Sequence, residues 1–576
     1  MGLMSPWSEQ LDPQNILPHY PRMDFQRENY LMINGEWEFL INDGDMPKHN
    51  DGWEKILVPF ALGSKLSGTT KQLKPNETLW YRGHFTSDIP THRAFLNFEA
   101  VDQCCTVYIN GFEVGSHEGG YSPFSIEVSD YLKQHNEIIV RVRDYSDQSI
   151  YAYGKQKIDH GGMWYTPSSG IWQSVWLEMV PEHTLYDLKI TPNYDKAQVY
   201  LHFVGDYTNI KITVYENNKA IYKAITSSSF HEIQLSEDFH AWTCEDPFLY
   251  DLTLETDTEV IHSYFGMRKF SIGKDEKGIP RFCLNNEPLF LTGLLDQGYT
   301  VDGLMTYPCE EAMEFEIRKI KEMGFNMLRK HVKQECRRWY YLCDKYGILV
   351  MQDMPNGGGP YDFNFVAVLP NLGFRTHKDN DYKTFGRENE EGRKMYYREL
   401  DQLLNSLYNY TSIFAWVPFN EGWGQFDSEK VTKHIKEYDY TRLVDSCSGW
   451  YDQKVGDFNS IHRYFIPFRV PRLDDRILLL SEFGGYSFLE WGHSEATKLY
   501  GYKKFIDRVK LDQAIDKLYK KDIIANIPKG LSGCIYTQVS DVEDECNGLF
   551  TADRRMVKID EKKMLKNNME CIRSLK

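Results

Sequence analysis

Two glutamates stand just after apolar runs in the second half of the chain. Ile413-Phe414-Ala415-Trp416-Val417 leads into Pro418-Phe419-Asn420-Glu421, and Ile477-Leu478-Leu479-Leu480 into Ser481-Glu482-Phe483. Short uninterrupted apolar runs read as buried strands of a parallel sheet, so both carboxylates fall at strand C-terminal ends. A carboxylate pair on one rim suits cleavage of a glycosidic bond: one group protonates the leaving oxygen while the other stabilises or attacks the developing oxocarbenium carbon. The acid needs a raised pKa and its partner must stay ionised, so their surroundings have to differ. A lone strand-end glutamate is more often a solvated or ion-paired rim residue; two in this arrangement make that the lesser reading. Arg329 and His331, Asp353, and His462 with Tyr464 close three further apolar runs in the same way.

The elements that must hold these groups alternate. Glu310–Met323 has Met313, Ile317 and Ile320 at helical spacing with Gly324 as a stop, and Gln334–Tyr346 is a second helix closed by Gly347. Eight candidate strands follow one another from Lys274 on: Leu289–Leu295, Phe325–Arg329, Ile348–Gln352, Ile413–Val417, Arg442–Asp445, Ser460–Tyr464, Ile477–Leu480 and Cys534–Thr537. Eight strand–helix units in about 300 residues predict a (β/α)8 barrel over 274–576, with its active site at the strand C-terminal ends. A doubly wound sheet would need a Gly-rich phosphate loop after its first strand, and the sequence has none. Ahead of the barrel the pattern is short alternating runs broken by turns. Asn110-Gly111 between alternating apolars marks a hairpin, and residues 1–181 read as an antiparallel β-sandwich. Residues 182–273 carry strand-like runs at Thr184–Thr191, Gln198–Val204, Ile210–Tyr215 and Leu249–Glu255, the size of an immunoglobulin-like sandwich without its Cys…Trp…Cys signature.

Composition narrows the function. The 576 residues carry a net charge of −17, which disfavours a nucleic-acid partner because the chain would repel a phosphate backbone. No apolar run is long enough to cross a bilayer, and Met1–Pro18 lacks a basic segment followed by an apolar one, so neither a membrane protein nor a secreted one is expected. Eleven scattered cysteines without a CxxC pair predict a reduced, cytoplasmic protein. With no HExxH and no clustered Cys/His ligands, neither a metal nor another cofactor is expected. Aromatic residues make up 14% of the chain, and rings are what a protein stacks on sugars.

Over nearly its whole length the sequence resembles glycoside hydrolase family 2, the family of β-galactosidases, β-glucuronidases and β-mannosidases. Asn29–Ile41 (NYLMINGEWEFLI), Leu79–Phe85 (LWYRGHF) and Ser169–Glu178 (SGIWQSVWLE) look like its sugar-binding jelly roll. Phe265–Ile272 (FGMRKFSI) and Phe282–Leu295 (FCLNNEPLFLTGLL) resemble its passage from immunoglobulin-like domain into barrel. Gly324–His331 (GFNMLRKH), Phe419–Gly424 (FNEGWG) and Ser481–Gly485 (SEFGG) resemble its barrel motifs. Carried over by position, the resemblance makes Glu421 the general acid/base and Glu482 the nucleophile of a retaining double displacement. Asn420 would bind the sugar 2-hydroxyl, Tyr464 would orient the nucleophile, and Arg329 would pair with Glu482. His331, Asp353, His462 and Gln538 complete the expected substrate-binding set, with Trp423 as an aglycone platform and Trp416 as core or pocket wall.

Two departures bear on the substrate. Family β-galactosidases and β-glucuronidases project an Asp from the first domain, where this chain has Gly162, with Asp159 and His160 nearby as substitutes. The Asn-x-Lys motif that grips a uronic carboxylate is replaced by Glu545-Cys546-Asn547. A small glycoside or oligosaccharide is the expected partner and β-galactoside the leading one, with β-glucuronide, β-galacturonide and α-L-arabinopyranoside as alternatives. Self-association into a homo-oligomer is compatible with the family. A non-catalytic carbohydrate-binding protein on a decayed barrel is the competing class, disfavoured by retention of the whole polar set. The insertion Pro355–Asn389, with Gly357-Gly358-Gly359-Pro360, is expected to be a long loop capping the pocket.

Overall fold

The computed structural model describes residues 2–87 and 93–575. Up to Val180 the alternating runs form two packed antiparallel sheets, one of six strands and one of four. Period-two alternation sends Trp37, Phe39, Tyr81, Val107 and Val140 into a common core. The Asn110-Gly111 hairpin forms as its sequence dictates: both residues have positive φ, 51° and 87°, the geometry a two-residue connection between twisted strands requires. A second pair of sheets follows. Leu185–Asn193, Gln198–Gly205 and Phe230–Gln234 face Ile210–Glu216, Lys219–Thr226, Tyr250–Glu255 and Val260–Phe265 across a core built on Ile190, Leu201, Ile212 and Leu252.

The hairpin Phe270–Lys274 and Pro280–Leu284 then closes the N-terminal end of a parallel barrel. Phe270 and Phe282 pack on Phe414 with ring centroids 6.2 and 5.1 Å apart, and Arg281 Nη1 donates to the Leu531 carbonyl at 2.7 Å. The barrel strands are β1 (Leu291–Asp296), β2 (Met327–Lys330), β3 (Leu349–Asp353), β4 (Ile413–Val417), β5 (Leu443–Val444), β6 (Phe458–Arg463), β7 (Ile477–Gly484) and β8 (Leu531–Thr537). They pair in parallel from β5 back to β1 and on through β8 and β7 to β6. The chain is therefore a multidomain β and α/β protein, with β-sandwiches ahead of a nearly closed eight-stranded barrel.

The expected strand Arg442–Asp445 is reduced to the two residues of β5, which do not pair with β6. Arg442 is instead drawn beneath the barrel, where it is bound to Asp439 and to the carbonyls of Tyr408, Tyr410 and Ile413. Asp457 bridges the seam: its N–H donates to the Val444 carbonyl at 2.7 Å and its Oδ2 accepts from the Val444 N–H at 2.8 Å. The helix expected from Gln334 begins only at Arg337. Residues before it are diverted because Glu335 is buried between the ammonium groups of Lys330 and Lys333, at 3.2 and 2.7 Å. The insertion 355–389 is not structureless: Asn364–Val368 and Leu369–Asn371 make consecutive helical turns, and the segment lies over the catalytic end of the barrel.

An arm of the first sandwich, residues 145–172, reaches across that same end. Tyr153 and Gly154 donate their N–H groups to the Asn356 carbonyl, and Gly162 and Thr166 donate theirs to Asp544 and Glu543, beyond β8. Replacing Asp457 with Ala leaves the Val444 N–H without its acceptor at the open seam. Urea unfolding should register a loss of about 1–3 kcal/mol, and an unchanged midpoint would mean that the seam does not depend on that side chain.

Candidate active site

Glu421 follows β4 in a sharp reversal. Its own φ is +50°, a left-handed conformation that costs a non-glycine residue roughly 1–3 kcal/mol. The next turns need glycine outright: a Cβ on Gly424 would lie 2.2 Å from the Gly357 carbonyl, and one on Gly422 would lie 2.8 Å from the Tyr451 ring. The reversal is tied down by the Glu421 N–H donating to the Ser448 carbonyl at 2.9 Å. Glu482 lies within β7 and faces Glu421, with the ligating oxygens of both carboxylates and a nitrogen of His462 all within 4.8 Å of one another.

Beneath them Arg329, from β2, is fully buried. Its Nε and Nη2 form a fork on Asp353 at 2.9 and 3.0 Å, Nη2 also reaches Asn420 Oδ1 at 2.8 Å, and Nη1 reaches Glu482 Oε1 and the Ser481 carbonyl at 3.3 Å. The expected Arg329–Glu482 pair is thus the lesser contact and Asp353 the main partner. Burial alone would lower the arginine pKa; Asp353 and Glu482 more than offset it and hold the guanidinium charged. Both Asp353 oxygens are taken, so Asp353 is corrected from a sugar ligand to the counter-ion of Arg329, with its pKa raised by burial to about 6.

His462 joins the two carboxylates. Its Nδ1 is 2.7 Å from Glu421 Oε1, while Nε2 is 3.4 Å from Arg329 Nη1 and 3.1 Å from Ser448 Oγ. A guanidinium can only donate, so Nε2 is the acceptor and Nδ1–H donates to Glu421. Burial pushes the histidine pKa down to about 3, keeping the ring neutral. His462, expected as a sugar ligand, has both ring nitrogens engaged and instead orients Glu421 through Oε1, leaving Oε2 free of that bond.

A second relay fixes His331. Gln538 Nε2 donates to the Ser540 carbonyl at 3.1 Å, so its Oε1 accepts from Gln297 Nε2; Gln297 Oε1 then accepts from His331 Nδ1 at 2.9 Å. The proton is set on Nδ1 and Nε2 is left a bare acceptor, buried and without a partner among the described residues. Gln538 has both ends of its amide engaged and is fully buried, so it too is corrected from a ligand to a member of this relay. Asn420 Nδ2 and Trp423 Nε1 are likewise buried and unpartnered. Buried polar groups are rarely left so, and these three suit the hydroxyls of a ligand.

Tyr464 donates to Glu482 Oε2 and lies 3.1 Å from Thr537 Oγ1. Tyr502 stacks on its ring at 3.6 Å. Trp423 packs against Trp164 of the arm at 5.0 Å, and Trp416 is buried in the wall with its Nε1 on Asp439. The cavity above, about 420 Å³, is lined by Glu421, Trp423, Tyr464, Tyr502 and Glu545, with Phe363 and Val366 of the insertion over it.

Burial pushes Glu421 up to about 7, against the cations of Lys155, Arg329 and Arg375. Burial raises Glu482 above the usual carboxylate range, as does the charge of Glu421, while Arg329 and the Tyr464 hydroxyl offset part of the rise. Two carboxyls this close titrate as a pair. Their surroundings differ: Glu482 receives the guanidinium and phenol donors, whereas Glu421 receives the N–H of a neutral imidazole. The same three ligating atoms could in geometry surround a cation, but His462 Nδ1 is committed to Glu421 and a guanidinium already sits at Glu482.

Asp159 and His160 are exposed and do not replace the missing acid. Lys155 of the arm, 6% exposed, is what approaches the site, with Nζ 3.7 Å from Glu545 Oε2. Sequence reasoning missed Lys155, Gln297, Ser448, Tyr502 and Trp164. Only the density of polar and aromatic residues in 145–172 signalled the arm.

Two family models match the chain: "Glycosyl hydrolases family 2, sugar binding domain" over residues 69–181 and "Glycosyl hydrolases family 2, TIM barrel domain" over 280–485, together more than half its length. A β-galactosidase of Thermoanaerobacter pseudethanolicus is 24% identical over 440 residues, covering 70% of this chain and 53% of that protein. The chain spans about half the length of the curated relatives it matches. Among solved structures, a Ruminococcus gnavus β-glucuronidase superimposes with a TM-score of 0.75 at 15% identity, covering 96% of this chain and 99% of that one. An Eisenbergiella tayi β-galacturonidase bound to galacturonate gives 0.70 at 16%, covering 95% and 99%. At these identities the structures share the fold.

Arg329→Met strands Asp353 in the interior. Denaturant melts should lose about 3–5 kcal/mol, and adding Asp353→Asn should restore part of it; no loss would mean that the guanidinium is not what holds the site together.

Proposed function

The chain belongs to glycoside hydrolase family 2, and from that premise we propose that it is a retaining exo-β-glycosidase that removes a terminal pyranose from small glycosides. The observation that carries this reading is the approach of Glu421 and Glu482 within 4.8 Å at the barrel rim, in surroundings that differ. A separation near 5 Å suits direct attack, whereas an inverting enzyme needs room for a water between the carboxyls.

In the first step Glu482 attacks the anomeric carbon, the glycosidic C–O bond breaks, and Glu421 passes its proton to the leaving oxygen. In the second, Glu421 takes a proton from water, the hydroxide oxygen joins the anomeric carbon, and Glu482 departs as carboxylate. Tyr464 and Arg329 donate to Glu482 throughout and stabilise it as it leaves. Asn420 Nδ2 is free to hold the 2-hydroxyl, and His331 Nε2 accepts from a neighbouring hydroxyl. The insertion over the cavity favours short substrates.

Among glycones a β-galactoside leads, because the resemblance puts Glu545 at the position by which family glucuronidases grip a carboxylate. A β-uronide is the second reading, supported by the ammonium of Lys155 near the cavity and by solved neighbours described as a β-glucuronidase and a β-galacturonidase. Eleven unpaired cysteines support a reducing compartment such as the cytoplasm.

Initial rates on chromogenic β-galactoside, β-glucoside, β-mannoside, β-glucuronide, β-galacturonide and α-L-arabinopyranoside test the class. Glu482→Gln should reduce the best rate to background, and Glu421→Gln should cost about 10²–10⁴-fold, with the larger losses on poor leaving groups. A folded Glu482→Gln protein with undiminished activity would overturn the assignment. Because the acid must be protonated, kcat/KM should fall as pH rises past about 7, the value to which Glu421 is raised. A rate still climbing at pH 9 would place the acid elsewhere.

A further inference from the structure

Lys155 enters the site from the first sandwich and has no role in the chemistry described above. Its side chain is 6% exposed, and among the described residues its ammonium makes no hydrogen bond. The nearest anion, Glu545 Oε2, is 3.7 Å away, outside hydrogen-bonding reach but well inside Coulombic reach. An ammonium on a side chain this enclosed, with no protein hydrogen bond, is poised to donate to a ligand. Its backbone is held, because Tyr165 N–H donates to its carbonyl at 3.0 Å and Tyr153 and Gly154 are bound to Asn356, while the long side chain keeps room to adjust. Glu545 is equally fixed: Tyr165 Oη donates to the same Oε2, its N–H is bonded to the Val542 carbonyl at 2.8 Å, and the residue lines the cavity beside Glu421.

We propose that Lys155 and Glu545 form a clamp for the 6-hydroxyl of the sugar and thereby select neutral hexosides over uronides. The proposal rests on the glycosidase reading of the same cavity. A hydroxyl is the one sugar group that can satisfy both partners, accepting from the ammonium and donating to the carboxylate. An oxygen about 2.9 Å from the nitrogen and about 2.7 Å from the carboxylate bridges the pair at an angle of about 80°, and the tetrahedral angle is reached if the pair opens by about an ångström. A uronic carboxylate has no proton to give Glu545 and would set a second anion against it, while the charge of Lys155 is already matched.

The position follows from the barrel. Asn420, assigned to the 2-hydroxyl, follows β4, and Glu545 follows β8, diametrically opposite in an eight-stranded ring. In a pyranose, C5 with its C6 arm lies across the ring from C2. Asn547, two residues on, is buried, and among the described residues neither end of its amide is engaged, so the same loop holds one more donor and acceptor in reserve.

The test compares substrates that differ only at C6: 4-nitrophenyl β-galactoside with β-galacturonide, and β-glucoside with β-glucuronide, on wild type, Lys155→Met and Glu545→Gln. The clamp predicts that wild type favours the neutral member by at least tenfold in kcat/KM. Glu545→Gln should shift the ratio at least tenfold toward the uronide. Lys155→Met should raise KM for the neutral sugar at least tenfold without helping the uronide, and should move the alkaline limb of the pH profile upward as a cation leaves the neighbourhood of Glu421. A wild type that prefers the uronide and loses that preference in Lys155→Met would make the ammonium a carboxylate receptor and overturn the clamp. Ratios unmoved by either variant would reduce the pair to scaffolding. Equilibrium binding of galactose and galacturonate to the wild-type chain reads the clamp without turnover. Silence of every glycoside would count against the glycosidase reading alone, whereas tighter binding of galacturonate would count against the clamp.

Discussion

The catalytic rim depends on one buried cation. The guanidinium of Arg329, fully enclosed, contacts side chains or carbonyls carried by β3, β6 and β7 and by the turn after β4, and so fixes their relative heights. Desolvating it is expensive, and the fork on Asp353 is what makes it tolerable. Once seated, it does three things together: it biases Glu482 toward the carboxylate, holds the Asn420 amide with Nδ2 outward, and determines which nitrogen of His462 carries the proton.

That last consequence gives two chemically identical side chains different surroundings. Glu421 receives a hydrogen bond from a neutral imidazole and lies under the capping segment, so burial leaves it protonated near neutrality. Glu482 is buried as well, yet receives donors from Arg329 and Tyr464. The asymmetry therefore comes from the partners rather than from solvent. A similar logic runs through Gln538 and Gln297 to His331, where one backbone carbonyl orients two amides and a ring.

The residues that could be read from the sequence were those whose placement is local. A buried parallel strand must be apolar throughout, so Ile413–Val417 and Ile477–Leu480 announce themselves and the next polar residue falls on the rim. The same rule found Arg329, His331 and Asp353 but could not say which would face the ligand. Asp353 and Gln538 are turned to positioning work because Arg329 and Gln297, distant in sequence, claim their polar atoms. Lys155 was invisible for a related reason: it lies in an arm of another domain, and only the crossing of that arm over β8 brings it to Glu545. The helix expected at Gln334 was shortened by the buried Glu335, whose lysine partners stand in the mainly polar run Arg329–Gln334 and so look like a solvated face.

The first domain therefore reaches the pocket as well as covering the barrel: Met163 lines the cavity, Trp164 packs on Trp423 and Lys155 approaches Glu545. The central proposal is that Glu482 and Glu421 act by double displacement, across a gap too small to hold both the sugar and an attacking water. Proton NMR of the sugar released in the first minutes of hydrolysis, before mutarotation, measures this directly. The account predicts that the β anomer appears first. First release of the α anomer from a β-glycoside would contradict it.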